Sequence, residues 1–171
     1  MDILTEAAGS VLRWGRPDGA LVSRAAVVTE ARKWVGTPFV HQHEVMGVGV
    51  DCGGLVRAVS VALGLIPQNY REMIPARLRG YARQPEGDLG ERLCDFYWHR
   101  IDVRDAQPGD VILMRWSDGP AQHAAIAGEA RGALTLIHAL GPNHPAKVVE
   151  HRIDKSWVKR MVCAYKIPGV A

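Results

Sequence analysis

Cys52 stands in the run Val50-Asp51-Cys52-Gly53-Gly54, just ahead of Leu55, Val56, Val59, Ala62 and Leu63, whose spacing predicts an apolar helix stopping at Gly64. A thiol in a helix's first turn meets free N–H groups and the positive end of the helix dipole. Both favour the thiolate and lower the pKa from about 8.5. Gly53 and Gly54 leave room for a substrate backbone to approach the sulfur, and the same N–H groups suit the oxyanion of an attacked carbonyl. Thiol catalysis also needs an imidazole beside the sulfur and a polar group that holds the imidazole's tautomer. From these residues alone, a buried structural thiol stays open as the other reading of Cys52. Cys94 and Cys163 lie in apolar helix and strand patterns and read as inert core.

Two histidines can supply the imidazoles. His123 and His138 fall in predicted strands, Gln122 to Gly128 and Ala133 to Leu140. If Glu129-Ala130-Arg131-Gly132 is a four-residue hairpin loop, Gly128 faces Ala133 and the two histidines oppose each other directly, their Cβ atoms about 4.5–5.5 Å apart. A slip of one residue would place them on opposite faces. Such a pair has three readings. It is packing, or a metal site drawing on His41, His43 or Cys52 at spacings unlike any recognised zinc array, or a catalytic base with its orienting partner.

The elements that must position these groups follow from the flanking residues. Residues 1 to 22, with Gly9, Gly15, Pro17 and Gly19, read as a lead-in arm, and residues 23 to 171 as a single domain. Ser23 caps a helix carrying Val27, Val28, Ala31, Trp34 and Val35, which Gly36 and Pro38 end. A turn through Gly47 and Gly49 leads to the Cys52 helix. Between Arg71 and Arg104 seven arginines balance six acidic residues, and Asp88 with Glu91 caps a short helix bearing Leu89, Leu93, Phe96 and Tyr97. After Pro108-Gly109 the pattern turns to strands: Asp110 to Trp116, the two histidine strands, Lys147 to Ile153 and Val158 to Ile167. Helices first and antiparallel strands second make an α+β domain.

Composition bounds the function. A chain of 171 residues that is 47% apolar forms one core and is neither collagen-like nor disordered. Three cysteines cannot all pair, so at least one thiol stays free. The first residues lack a basic segment followed by an apolar one, and no run nears the ~18 apolar residues of a membrane span. The expectation is synthesis in the cytoplasm without an export signal. From Asn143 onward six basic residues face two acidic ones, against a chain total of +3, so the body is nearly neutral and the end basic. That end is either a solvated strand surface or a face for an anionic partner. Nucleic acid is not expected, for want of an aromatic platform or recognised motif.

Taken in order, Trp34-Val35-Gly36-Thr37-Pro38-Phe39, Val50-Asp51-Cys52-Gly53-Gly54-Leu55-Val56, Gln107-Pro108-Gly109-Asp110-Val111, Gln122-His123-Ala124-Ala125-Ile126 and Leu136-Ile137-His138-Ala139 resemble the NlpC/P60 cysteine peptidases. His41-Gln42 and Gly47-Val48-Gly49 look more specifically like the family's phage-tail and gene-transfer-agent branch. The resemblance spans about residues 25 to 167. It implies a papain-like fold, N-terminal helices on a C-terminal antiparallel sheet, and cleavage of amide bonds in peptidoglycan stem peptides. It makes Cys52 the nucleophile, His123 the general base and acid, and His138 the third polar residue, with no metal or organic cofactor. The order Cys, His, His is unlike that of the permuted acyltransferase relatives. Gln42, His41, Asp51 and Gly53 become substrate or oxyanion candidates, with His43 at the cleft rim. Phe39 departs from the tyrosine of many members. Phe cannot donate a hydrogen bond, so that role passes to backbone N–H groups, Gln42 or His41, or is absent. The tail branch implies other tail proteins as partners, contacted by residues 1 to 22, and a place in the virion tail with action in the periplasm on entry. The rival expectation is a structural tail-tip hub or plug whose peptidase site is weak or inactive.

Overall fold

A computed structural model describes residues 16–73, 87–88, 90–91, 94–95, 98–142 and 144–171. Leu89, Leu93, Phe96 and Tyr97 of the expected middle helix lie outside the described residues, although Gly90–Glu91 and Cys94–Asp95 are helical.

Helix α1 (Arg24–Arg32) starts where the Ser23 hydroxyl accepts the Ala26 N–H, and it buries Val27, Val28 and Ala31. It ends earlier than the periodicity suggests, with Trp34 buried in the turn that follows. A small antiparallel pair, β1 (Glu44–Val45) and β2 (Gly49–Val50), then delivers the chain to helix α2 (Cys52–Ala62). The short helix α3 (Tyr70–Met73) follows.

The remaining strands form one antiparallel sheet. β3 (His99–Ile101), β4 (Val111–Met114), β5 (His123–Ala130), β6 (Ala133–Ala139), β7 (Val148–Arg152) and β8 (Met161–Lys166) lie in the order β3-β8-β4-β5-β6-β7. Edge strand β3 falls in the stretch that the sequence leaves without strands. A four-residue helix, α4 (Lys155–Val158), and the turn at 159–160 take up the start of the expected last strand. Asp154 causes this, because its carboxylate accepts the N–H groups of Ser156 and Trp157 and turns the chain.

Alternation sorts the sheet into two faces. Val111, Leu113, Ile126, Ile137, Ala139 and Tyr165 pack with α1 and α2 residues such as Val27, Leu55 and Val59. Ile112, Met114, Ala125, Ala127, Leu136 and Ala164 form the core of the other face, covered by Trp157, Ile153 and Val103. Asp110 ties the layers at one end: its buried carboxylate takes Arg24 Nη1 at 2.7 Å and the Gln107 N–H at 2.8 Å. That gives Gln107-Pro108-Gly109-Asp110 a structural role. Val22 is buried and pairs with Val170, fastening the chain ahead of α1 to the C-terminus.

The β5–β6 hairpin differs from the expected register. Ala130 faces Ala133 and Gly128 faces Thr135, so the turn has two residues, Arg131 and Gly132, rather than four. Both have positive φ, 54° and 73°, the twist that suits a two-residue hairpin between right-twisted strands.

Candidate active site

Asp51 begins the site. Its carboxylate accepts the Gly54 N–H at 2.7 Å, capping α2, and the Gln42 N–H at 2.7 Å, while His41 Nδ1 lies 3.5 Å from Oδ2. Asp51 is buried, so these contacts lock the approach to Cys52, the first residue of α2. Gly54 serves packing rather than substrate access. A Cβ there would stand 2.4 Å from the His43 carbonyl oxygen and 2.9 Å from Glu44 Cγ. At Gly53 the obstacle would be only the mobile end of Arg57, at 2.9 Å. Below the helix start, Glu44 bonds Arg57 Nε at 2.7 Å, pairs with Arg71 Nη2 at 2.9 Å and accepts the Tyr70 hydroxyl, anchoring the short β-ribbon to α2 and α3.

The thiol meets β5 at the strand's first residues. The Ala124 and Gly53 backbone amides near the sulfur favour the thiolate and draw its pKa down. Desolvation and the neighbouring Asp51 carboxylate outweigh them, and the thiol is pushed up to about 11. The helix start therefore does not produce the lowered thiol pKa expected from sequence. The half-exposed Cys52 rests as a neutral thiol. Cys94 and Cys163 are likewise free thiols raised by desolvation.

His123, the residue before Ala124, is 6% exposed, and His138 is fully buried. With the two-residue turn, the β5–β6 register extended to the strand end sets His123 diagonal to His138 rather than directly opposite. The shift is two residues, an even number, so both still share a face. His123 Nε2 lies 2.8 Å from His138 Nδ1. Burial is the main cause holding both imidazoles neutral, with pKa values lowered to about 3 for His123 and about 2 for His138. For His123 a second lowering influence is His144, partly offset by Asp51.

The row continues onto β7. His138 Nε2 lies 2.8 Å from His151 Nε2, and His151 Nδ1 lies 2.8 Å from the Arg152 carbonyl oxygen. His138 faces Val149 and His151 faces Leu136, so the second step is again diagonal and on the same sheet face. Sequence reasoning missed His151. Alternation within β7 gives its parity, but the long connection from Leu140 to Lys147 leaves the register against β6 undetermined.

Aromatic rings roof the row. Trp157 packs 5.0 Å from His138 and 4.9 Å from His151, and Trp116 lies 5.1 Å from His123 and stacks on His144 at 5.4 Å. The Arg160 guanidinium sits 5.2 Å over Trp116. Arg115, Lys155, Lys159 and Arg160 line a groove with Trp116. Part of the basic C-terminal charge is thus gathered beside the imidazoles.

The other candidates divide. His41 reaches Asp51 and Gln42 holds it through the backbone, with φ 59°, whereas His43 is exposed and its ring faces the His41 carbonyl at 3.4 Å. Phe39 is half-buried against the helix-facing core and pairs through its backbone with Val50. Among the described residues no group of three or more His, Cys, Asp or Glu side chains is placed to hold a metal ion.

No family model matches the sequence, and no curated protein matches it. Solved structures do. The NlpC/P60 domain of the peptidoglycan hydrolase SagA is 26% identical, with a TM-score of 0.56 over 85% of this chain and 99% of that one. An NlpC/P60 family protein from Bacillus cereus is 17% identical, with a TM-score of 0.58 over 86% of this chain but 41% of its own length. RipD from Mycobacterium tuberculosis, described as a non-catalytic NlpC/P60 domain protein adapted to peptidoglycan binding, is 16% identical, with a TM-score of 0.50 over 84% of this chain and 96% of that one. The likeness to SagA supports the NlpC/P60 family, and all three show the α+β, papain-like fold that this chain has.

Proposed function

We propose that this chain is a cysteine peptidase that hydrolyses amide bonds in peptidoglycan stem peptides. The observation that carries the reading is the meeting of the Cys52 helix start with β5 at Ala124, next in the chain to His123, whose Nε2 is engaged by His138 at 2.8 Å; the reading assigns the other ring nitrogen, Nδ1, to the thiol. The likeness to SagA supports the substrate class.

Both partners rest neutral, so the reaction starts as general-base catalysis rather than from a standing thiolate. His123 Nδ1 takes the thiol proton as Cys52 Sγ attacks the peptide carbonyl. The oxyanion is received by N–H groups around the thiol, of which Gly53 and Ala124 are closest in action, the Gly54 N–H being held by Asp51. His123 then protonates the leaving amine, and the thioester is hydrolysed by water that His123 deprotonates. His138 orients the His123 ring throughout. His41, 3.5 Å from the Asp51 carboxylate, is the polar side chain to which this reading gives the role of the family tyrosine that Phe39 cannot fill.

The His41-Gln42 and Gly47-Val48-Gly49 features support a tail-associated peptidase that opens the cell wall during entry, with other tail proteins as partners. A second reading, a structural tail-tip or wall-binding component with a weak site, draws support from the raised Cys52 pKa, from Phe39 and from the likeness to RipD. Mass spectrometry of muropeptides after incubation with purified peptidoglycan separates the two. The wild type is expected to release new stem-peptide fragments and folded Cys52→Ala none. Equal release by both, or binding without release by the wild type, would overturn the peptidase assignment.

A further inference from the structure

We infer that His151 is a positioning residue: through His138 it dictates which nitrogen of His123 carries the proton, and so leaves Nδ1 as the lone pair that the peptidase reading assigns to Cys52. The catalytic consequence rests on the peptidase reading above. The tautomer assignment does not.

The argument is a count of donors and acceptors. A carbonyl oxygen only accepts, so the 2.8 Å contact to Arg152 requires His151 to carry its proton on Nδ1. A neutral imidazole has one N–H, so His151 Nε2 is an acceptor, and its partner, His138 Nε2, must be the donor. His138 Nδ1 is then a lone pair, and His123 Nε2 must donate to it. The remaining nitrogen, His123 Nδ1, is left unprotonated, as a general base for the thiol requires. Two ring-to-ring hydrogen bonds permit only two polarities for the whole row. In the other one, every ring is inverted and His123 presents an N–H to the thiol, which cannot take a proton. The backbone carbonyl is the one member of the chain that cannot invert. Trp157 packs against both His138 and His151, which holds the rings in hydrogen-bonding planes.

Long-range proton–nitrogen NMR of the full chain, with nitrogen-15 histidine at neutral pH, reads the tautomers directly. The wild type is expected to show Nε2–H at His123 and His138 and Nδ1–H at His151. In His151→Phe, which can neither accept nor donate there, His123 is expected to become a tautomer mixture, and kcat on muropeptides to fall about tenfold or more with KM unchanged, within the roughly 100- to 10,000-fold that a positioned base contributes. His151→Gln, whose amide oxygen can accept the His138 Nε2–H, is expected to restore both. Nδ1–H at His123 in the wild type, or a His123 tautomer unmoved in His151→Phe, overturns the inference. If His151→Phe does not fold, the wild-type and His151→Gln spectra decide it alone. The expected tautomers in a wild type without turnover would leave the row standing and reject only the peptidase reading.

Discussion

At the scale of single residues, Cys52 shows how one side chain is pulled in two directions. The helix N-terminus and the Gly53 and Ala124 amides favour its thiolate, while desolvation and Asp51 oppose it, and the second pair prevails. Position on a helix is therefore not enough to activate a partly desolvated thiol whose neighbour is a carboxylate. Alkylation of the substrate-free protein by iodoacetamide is expected to be slow at Cys52 near neutral pH and to rise toward pH 11, read by mass spectrometry of the labelled peptide against pH. A rate already at its plateau below pH 8 would mean a standing thiolate–imidazolium pair instead. His41 and Gln42 were visible as candidates in the sequence, but their common attachment to Asp51 depends on a turn in which Gln42 takes a positive φ.

At the scale of elements, the start of α2 was legible. The apolar spacing from Leu55 onward puts Cys52 at the first turn, and the structure adds the cap, with Asp51 accepting the Gly54 N–H. Gly54 was legible as a glycine but not in its role. Its missing side chain lets α2 lie against the His43 carbonyl, a contact between segments that only folding brings together. Gly54→Ala is expected to cost about 1–3 kcal/mol of stability, the range for overpacking a tight contact, measured by urea denaturation. A loss below about 0.5 kcal/mol would show that the β1–β2 ribbon gives way freely. Gly128 works similarly on β5. A Cβ there would stand 2.4 Å from Thr135 Oγ1, whose hydroxyl donates to Glu150, and Glu150 in turn takes a two-pronged Arg32 from α1 at 2.8 Å. The helix layer and the far edge of the sheet are joined by that chain of contacts.

At the scale of the whole molecule, the fold holds two imidazoles neutral in its interior. The sign of the consequence follows from linkage. Below about pH 6.5 an unfolded chain protonates both histidines, whereas the folded chain leaves His123 neutral until about pH 3 and His138 until about pH 2. The unfolded state binds more protons in that window, so stability falls as pH is lowered through it. Urea denaturation at pH 7, 5.5 and 4 is expected to show this decline, and a His123→Gln/His138→Gln variant is expected to show a smaller one. Parallel declines in both proteins would mean that carboxylates, not these histidines, set the acid sensitivity. No helix among the described residues is long and apolar enough to cross a membrane. The sequence by itself determined the α+β class and the place of Cys52 at the start of an apolar helix, because apolar spacing is local; it left the shared face of His123 and His138 conditional on the hairpin turn, because alternation has a period of two within a strand but does not set the register between strands. The tertiary structure alone decided the hairpin register, the entry of His151 into the row and the raised thiol pKa. Register across a long connection and the removal of water from a side chain both arise from packing between residues far apart in the chain.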